Sequence, residues 1–169
     1  QDIVIGIQAY TFDELNLSSK TIGILFSSTG VVLIFMRLLG LRAVIDRVKS
    51  DRAIISMAFL VSAITMFLIQ FSNSFVVFVG LILFYVAIYS LISPVVTNII
   101  SNRVNEEDQG VALGINQSYA SLGQVLGPVS AGIVANLSIG LIFSWGSFLL
   151  FVGFLLSYFV KTKSKKANF

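Results

Sequence analysis

Cysteine and histidine are both absent from the 169 residues of this chain. Their absence excludes disulfide bridges, thiolate chemistry and histidine metal sites, so we predict no metal ion and no cofactor. Charged residues are also scarce: they make up 11% of the sequence, whereas 56% of the residues are hydrophobic. Because soluble domains carry about a quarter charged residues, this composition indicates a membrane protein.

Two long stretches of the chain contain no charged residue, one from Ala53 to Asn102 and one from Gly110 to Val160. A membrane-spanning helix needs about 20 apolar residues, so each stretch can cross a bilayer twice. We therefore predict an all-α membrane protein, a helical bundle of five complete transmembrane helices that follow one truncated helix. The predicted segments are the truncated helix at about 1–12, helices at about 19–41, 53–71, 75–100, 110–137 and 139–160, and a basic tail at 161–169. The chain begins with Gln1 and shows no signal peptide, which predicts a piece of a longer polypeptide.

Lysine and arginine residues are divided unequally between the two predicted sides of the membrane. One side carries only Lys20, and the other carries ten basic residues: Arg37, Arg42, Arg47, Lys49, Arg52, Arg103, Lys161, Lys163, Lys165 and Lys166. The positive-inside rule predicts that the second side is cytoplasmic. The net charge of +3 then reports topology and contact with lipid headgroups, and it predicts no nucleic-acid partner.

The predicted helix at 110–137 is apolar and yet contains Gly123, Gly127, Pro128 and Gly132. Helices in lipid associate through close packing of small residues, and a proline removes one backbone hydrogen bond and permits a bend. Two interpretations remain open: a tight packing seam against a neighbouring helix, or a bend about which part of a bundle rocks.

The sequence GQVLGPVSAG, from Gly123 to Gly132, resembles the glycine-proline signature of the drug/proton antiporters in the major facilitator superfamily. Ala131 stands where that signature has the first of its two final glycines. The longer stretch EEDQGVALGINQSYASLGQVLGP resembles the family's eleventh helix and its cytoplasmic lead-in. The loop LRAVIDRVKSDRAI resembles the family's loop between helices eight and nine, with Asp46 and Arg47 at the Asp-Arg position of its motif.

This resemblance covers essentially the whole chain and implies the C-terminal six-helix half of a twelve-helix transporter. The loop departs from the family pattern because Arg42 and Lys49 occupy the places of two expected glycines. The expected partners are then the N-terminal six-helix bundle of the same polypeptide, the lipid bilayer and a small-molecule substrate. The resemblance also implies that the truncated helix and the helices at 19–41, 75–100 and 110–137 line a central cavity.

Polar residues inside the predicted spans mark that cavity, because a polar group in a membrane is costly unless it faces the protein interior or water. The candidates for the substrate cavity are Gln8, Ser27, Tyr85, Tyr89, Ser93, Asn116, Gln117 and Gln124. Hydrogen bonding between helices is an alternative use for any one of them. The helix at 139–160 is rich in phenylalanine and is expected to face lipid.

Two charged residues, Asp2 and Arg37, lie within predicted membrane segments. If the truncated helix ends near Phe12, Asp2 lies about 15 Å deep at the helical rise per residue. That depth is near the bilayer centre, where a carboxylate is a candidate proton carrier; alternatively, Asp2 is an exposed residue at a truncated end. Arg37 is expected to reach the membrane interface as a snorkelling side chain rather than to act as a gate or a substrate ligand.

The sequence favours a secondary active transporter that moves small organic solutes by alternating access. The glycine-proline motif further favours proton-coupled efflux of drug-like compounds. A non-transporting membrane subunit or anchor is the alternative. An enzyme is disfavoured, since the spans offer no histidine, no cysteine and no pair of carboxylates, and the sequence contains no phosphate-binding loop for ATP. The predicted location is the bacterial plasma (inner) membrane, with the basic loops and the C-terminus in the cytoplasm.

Overall fold

The computed structural model of the chain describes residues 19–40, 50–72, 74–138 and 140–159. All regular structure in these residues is helical, which confirms the predicted all-α class. The α-helices are α1 (Ser19–Phe35), α2 (Asp51–Ile69), α3 (Phe75–Tyr89), α4 (Ile92–Ser101), α5 (Gln109–Ala135) and α6 (Gly140–Ser157). A π-helical turn, Met36–Gly40, continues α1, and a short 3-10 helix, Glu106–Asp108, precedes α5. The predicted truncated helix at 1–12 and the basic tail at 161–169 lie outside the described residues.

Four of the described segments are long and apolar enough to cross a membrane: Gly23–Gly40, Asp51–Ile69, Phe75–Ser101 and Gly140–Ser157. Helix α5 is not among them, although its 27 residues extend about 40 Å at the helical rise. Its length therefore suits the crossing predicted at 110–137, but its five glycines and its amide and hydroxyl side chains make it less apolar than the others. Such a composition suits contact with protein or water better than contact with lipid.

The predicted single helix at 75–100 is interrupted in the structure. Helix α3 ends at Tyr89 and α4 begins at Ile92. At the junction the Ser90 hydroxyl donates to the Ala87 carbonyl oxygen over 2.8 Å, and serine bonds of this kind compete with the regular helix ladder. Pro94 is the third residue of α4, and a proline is tolerated there because backbone N–H groups of a first turn have no helical partner.

Helix α2 occupies the centre of the bundle. It packs most extensively against α6 and also contacts α3 and α4, while α1 packs on α3, and α5 packs on α4 and α6. The larger buried cluster joins α1, α2, α3 and α6 and comprises Leu25, Ala63, Met66, Ile69, Phe78, Ile82, Tyr85, Phe143 and Leu150. A smaller cluster joins α2 and α4 and comprises Ile54, Ile55, Val95 and Ile99.

The contact between α2 and α6, here called the α2–α6 seam, contains hydrogen bonds between the helices. The Ser144 hydroxyl donates to the Gln70 amide oxygen over 2.5 Å, and the Ser147 hydroxyl donates to the Ala63 carbonyl oxygen over 2.7 Å. The hydroxyls of Ser56 and Ser157 are 2.6 Å apart. Small serine side chains allow close approach of two helices and supply directional bonds in lipid. Helices α2 and α6 have few polar residues, and serines among these residues form hydrogen bonds between the two helices.

Helix α6 has two different faces, and this corrects the expectation that the segment at 139–160 faces lipid throughout. Phe143 is fully buried in the larger cluster, whereas Phe148 and Phe151 are exposed. Phenylalanine is equally suited to a protein core and to lipid, so composition alone does not separate the two faces.

Candidate substrate cavity

A cavity of about 520 Å³ lies where α1, α3, α4, α5 and α6 approach one another, with Met66 of α2 also in its wall, and we call it the main cavity. Its volume is within the range of about 300–1,000 Å³ that is typical of small-molecule sites. The polar residues that line it are Arg37, Tyr85, Tyr89, Ser90, Ser93 and Asn116. Apolar side chains, among them Leu33, Val96 and Leu149, complete the wall. An apolar wall with a few polar groups can bind an organic molecule and fix its orientation.

Four of the candidate residues predicted from the sequence line the main cavity together: Tyr85, Tyr89, Ser93 and Asn116. The rings of Tyr85 and Tyr89 are stacked with centroids 5.4 Å apart and planes inclined by 11°, which follows from their spacing of four residues on α3. Ser93 continues the same spacing onto α4 despite the interruption of the helix. Asn116 reaches the cavity from α5.

The other candidates are placed elsewhere. Ser27 borders a separate open groove of about 540 Å³ along α1, and its hydroxyl donates to the Gly23 carbonyl oxygen of its own helix over 2.9 Å. Gln117 and Gln124 are exposed on α5 and do not line the main cavity. Since successive helical residues project about 100° apart, Asn116 can line a cavity that its neighbour Gln117 does not reach. Gln8, Asp2, Asp46 and Arg47 lie outside the described residues.

Arg37 is the lining residue whose position the sequence did not indicate. It belongs to the π-helical turn Met36–Gly40, its side chain is exposed, and it borders the main cavity. A π-helical turn rotates the following residues relative to an α-helix, so the face on which Arg37 lies could not be derived from a spacing of 3.6 residues. The signal in the sequence is a lone basic residue within an apolar run, which predicts a side chain at the membrane interface and does not indicate the cavity.

Most residues of helix α5 are exposed, including all those from Gln117 to Leu126, and Ala131 is its only buried residue among those described. A Cβ atom added at Gly123 or Gly132 would meet no atom within 4 Å. The described part of the chain therefore provides no tight packing seam at these two glycines. Pro128 lies inside α5 without ending it, and near it the indole of Trp145 donates to the Ser130 hydroxyl over 3.2 Å.

These features define an all-helical, multi-span membrane protein with a partly polar cavity among its helices. The family model described as Major Facilitator Superfamily matches residues 2–169. The chain belongs to this superfamily of membrane transporters, and the resemblance inferred from the glycine-proline motif is confirmed.

Two curated relatives carry names that refer to drug resistance. The chain is 31% identical over 140 residues to the quinolone resistance protein NorA of Staphylococcus aureus strain Mu50, an alignment that covers 77% of this chain and 33% of NorA. It is 25% identical over 154 residues to multidrug resistance protein 2 of Bacillus subtilis strain 168, covering 91% of this chain and 38% of that protein. The chain thus spans about a third of the length of the curated relatives that it matches.

Proposed function

We propose that this chain is the C-terminal bundle of a secondary active transporter that exports drug-like organic solutes by alternating access, coupled to protons. The observation that carries the proposal is the main cavity, in which Tyr85, Tyr89, Ser93 and Asn116 come together from three different helices. The drug-resistance names of two relatives support efflux of organic compounds. Membership in a transporter superfamily favours transport over an enzymatic activity or a purely structural role.

A second bundle of the same polypeptide is the partner that we propose for α5. The exposed face of this helix carries Gly123 and Gly132, which leave room for the backbone of another helix. The relatives are about three times as long as the matched segment, so they have room for the N-terminal six-helix bundle that alternating access requires. Lipid would then cover the exposed apolar faces of α2, α3 and α6.

Proton coupling requires a group that takes up and releases protons. The described residues that line the main cavity include no carboxylate. We propose Asp2 for this role because its predicted depth in the truncated helix places a carboxyl group near the bilayer centre, where an ionisable residue is a candidate proton carrier.

The orientation that we propose places the basic loops in the cytoplasm of a bacterium, and it is open to a direct test. The wild-type chain has no cysteine, so single cysteines can be introduced without background labelling. Cysteines at the exposed positions Ser50 and Asn105 should react with an impermeant maleimide from the cytoplasmic side, and one at exposed Ser74 should react from the opposite side. Labelling of Ser50 and Asn105 from opposite faces would contradict the proposed helix count.

Efflux itself can be measured in bacterial cells that express the complete gene product and are loaded with a fluorescent aromatic dye. We expect dye accumulation to fall several-fold on expression and to be restored by a protonophore. Tyr89→Ala should change the ranking of several dyes, because Tyr89 contributes a ring to the main cavity. Phe84→Ala is the matched control: it removes a similarly exposed aromatic ring from the same helix, but that ring does not line the cavity. A chain that only anchors other proteins would leave dye accumulation unchanged in every strain.

A further inference from the structure

The charge of the main cavity is unbalanced. Among the fifteen described residues that line it, Arg37 is the one charged group, and none of these fifteen is an aspartate or a glutamate. The described part of the wall therefore presents a cation, which attracts negatively charged groups and repels positively charged ones. Apolar side chains form part of the wall and strengthen the effect, since charges interact more strongly in a medium of low dielectric constant.

Arg37 has two features that are not needed in an arginine that only reaches the membrane interface. It lies in a π-helical turn, a rare conformation that frequently occurs at functional sites. Among the described residues, the Arg37 side chain has no ion pair and no hydrogen bond. Its guanidinium can therefore bind a ligand in the main cavity. Arginine within a membrane span is costly unless it pairs with a counter-charge. A guanidinium is planar and offers parallel N–H donors that match a carboxylate.

Another part of the cavity wall is aromatic and uncharged. Tyr85 is 6% exposed and anchors the stack, whereas Tyr89 is 46% exposed and presents ring surface to the cavity. Asn116 adds an amide that can donate a hydrogen bond from α5. A planar ring that packs on Tyr89 and carries an anionic group can therefore use aromatic packing and charge pairing together.

We propose that Arg37 is a specificity-determining residue that makes the main cavity select aromatic solutes with an anionic group, such as a carboxylate, over neutral or cationic molecules of the same shape. The carboxylate pairs with the Arg37 guanidinium, Asn116 supplies a further hydrogen bond, and the ring packs on Tyr89. This inference rests on the proposed function of the cavity as a solute site, but it concerns the charge that the site selects.

The test uses the complete gene product, purified in detergent, and three fluorescent probes that share one ring system: pyrene carboxylate, its neutral methyl ester and pyrenemethylammonium. Equilibrium binding is measured by fluorescence anisotropy, and transport of the same probes is measured in proteoliposomes. The wild type should bind the carboxylate more tightly than the other two. Arg37→Gln should weaken carboxylate binding by about tenfold to a hundredfold, the loss expected for a charged hydrogen-bonded pair. Binding of the methyl ester should change by less than about twofold.

Two further variants separate ligand binding from structural effects. Arg37→Lys keeps the charge without the planar fork, so it should retain part of the preference for the carboxylate. Arg103→Gln removes another exposed arginine that does not line the cavity, and it should leave all three affinities unchanged. Equal loss of the carboxylate and the ester in Arg37→Gln, or no loss of either, would overturn the inference.

The outcomes also distinguish this inference from the proposed function. Equal transport of all three probes would support the proposed transport and contradict the proposed role of Arg37. Charge-selective binding that is lost in Arg37→Gln, without transport of any probe, would support the role of Arg37 and contradict the proposed transport.

Discussion

Gly153→Leu should lower the melting temperature of the protein by about 4–8 °C, the shift expected for a loss of about 2 kcal/mol in a chain of this size. A Cβ atom at Gly153 would lie 2.8 Å from Cε1 and 2.9 Å from Cδ1 of Phe59, closer than side chains approach one another. Phe59 packs against both buried clusters and cannot move away freely. The gain of up to about 1 kcal/mol in helix propensity is smaller than this steric cost.

Gly80→Leu is the matched control for this prediction. Gly80 also lies inside an α-helix, but a Cβ atom there would meet nothing within 4 Å. The same substitution should therefore leave the melting temperature unchanged or raise it slightly. The measurement is the loss of monodisperse protein with temperature, followed by size-exclusion chromatography in detergent. Equal melting temperatures for Gly153→Leu and the wild type would show that the α2–α6 seam is looser than the structure describes.

Gly123→Leu should have the opposite profile: an unchanged melting temperature for this bundle and a loss of transport of tenfold or more. The structure leaves the space next to Gly123 empty, so a leucine meets no atom of the described residues. If a helix of the proposed second bundle approaches this glycine, the leucine would hold the two bundles apart and block the rocking that alternating access requires. A misplacement of about 1 Å is sufficient for losses of this size in a preorganised site.

The Gly123→Leu prediction is checked by dye efflux in cells and by melting temperature in detergent on the same preparations. Gly80→Leu again serves as the control, because this glycine is exposed and does not line the main cavity. Full transport by Gly123→Leu would show that the glycine-proline motif does not contact a second bundle. A lowered melting temperature would instead favour a packing role within this bundle.

Features that depend on local spacing could be predicted from the sequence. The charge-free stretches identified the helices, and the spacing of four residues selected Tyr85, Tyr89 and Ser93 as one face, which the structure places along the main cavity. The interruption after Tyr89 was not predicted, although the sequence carries a signal for it. Pro94 has no N–H to donate to the Ser90 carbonyl oxygen four residues earlier, so a continuous helix would lack that bond.

Features that depend on contacts between distant helices could not be predicted in the same way. The burial of Phe143 and the close approach at Gly153 both follow from the packing of α2 on α6, and nothing in the sequence specifies which spans become neighbours. The side of the helix on which Arg37 lies depends on a π-helical turn, for which the sequence carries no clear signal. Ser27, chosen for its polarity, bonds to its own helix, which is a common use of a hydroxyl group inside a span.

Proton-driven flux of a single aromatic dye through the purified complete gene product in proteoliposomes tests the transporter account most directly. We expect saturable dye accumulation when a pH gradient is imposed, loss of accumulation when a protonophore collapses the gradient, and no accumulation for the 169-residue chain alone. Dye flux no greater than in protein-free liposomes, or flux that is unaffected when the gradient is collapsed, would contradict it.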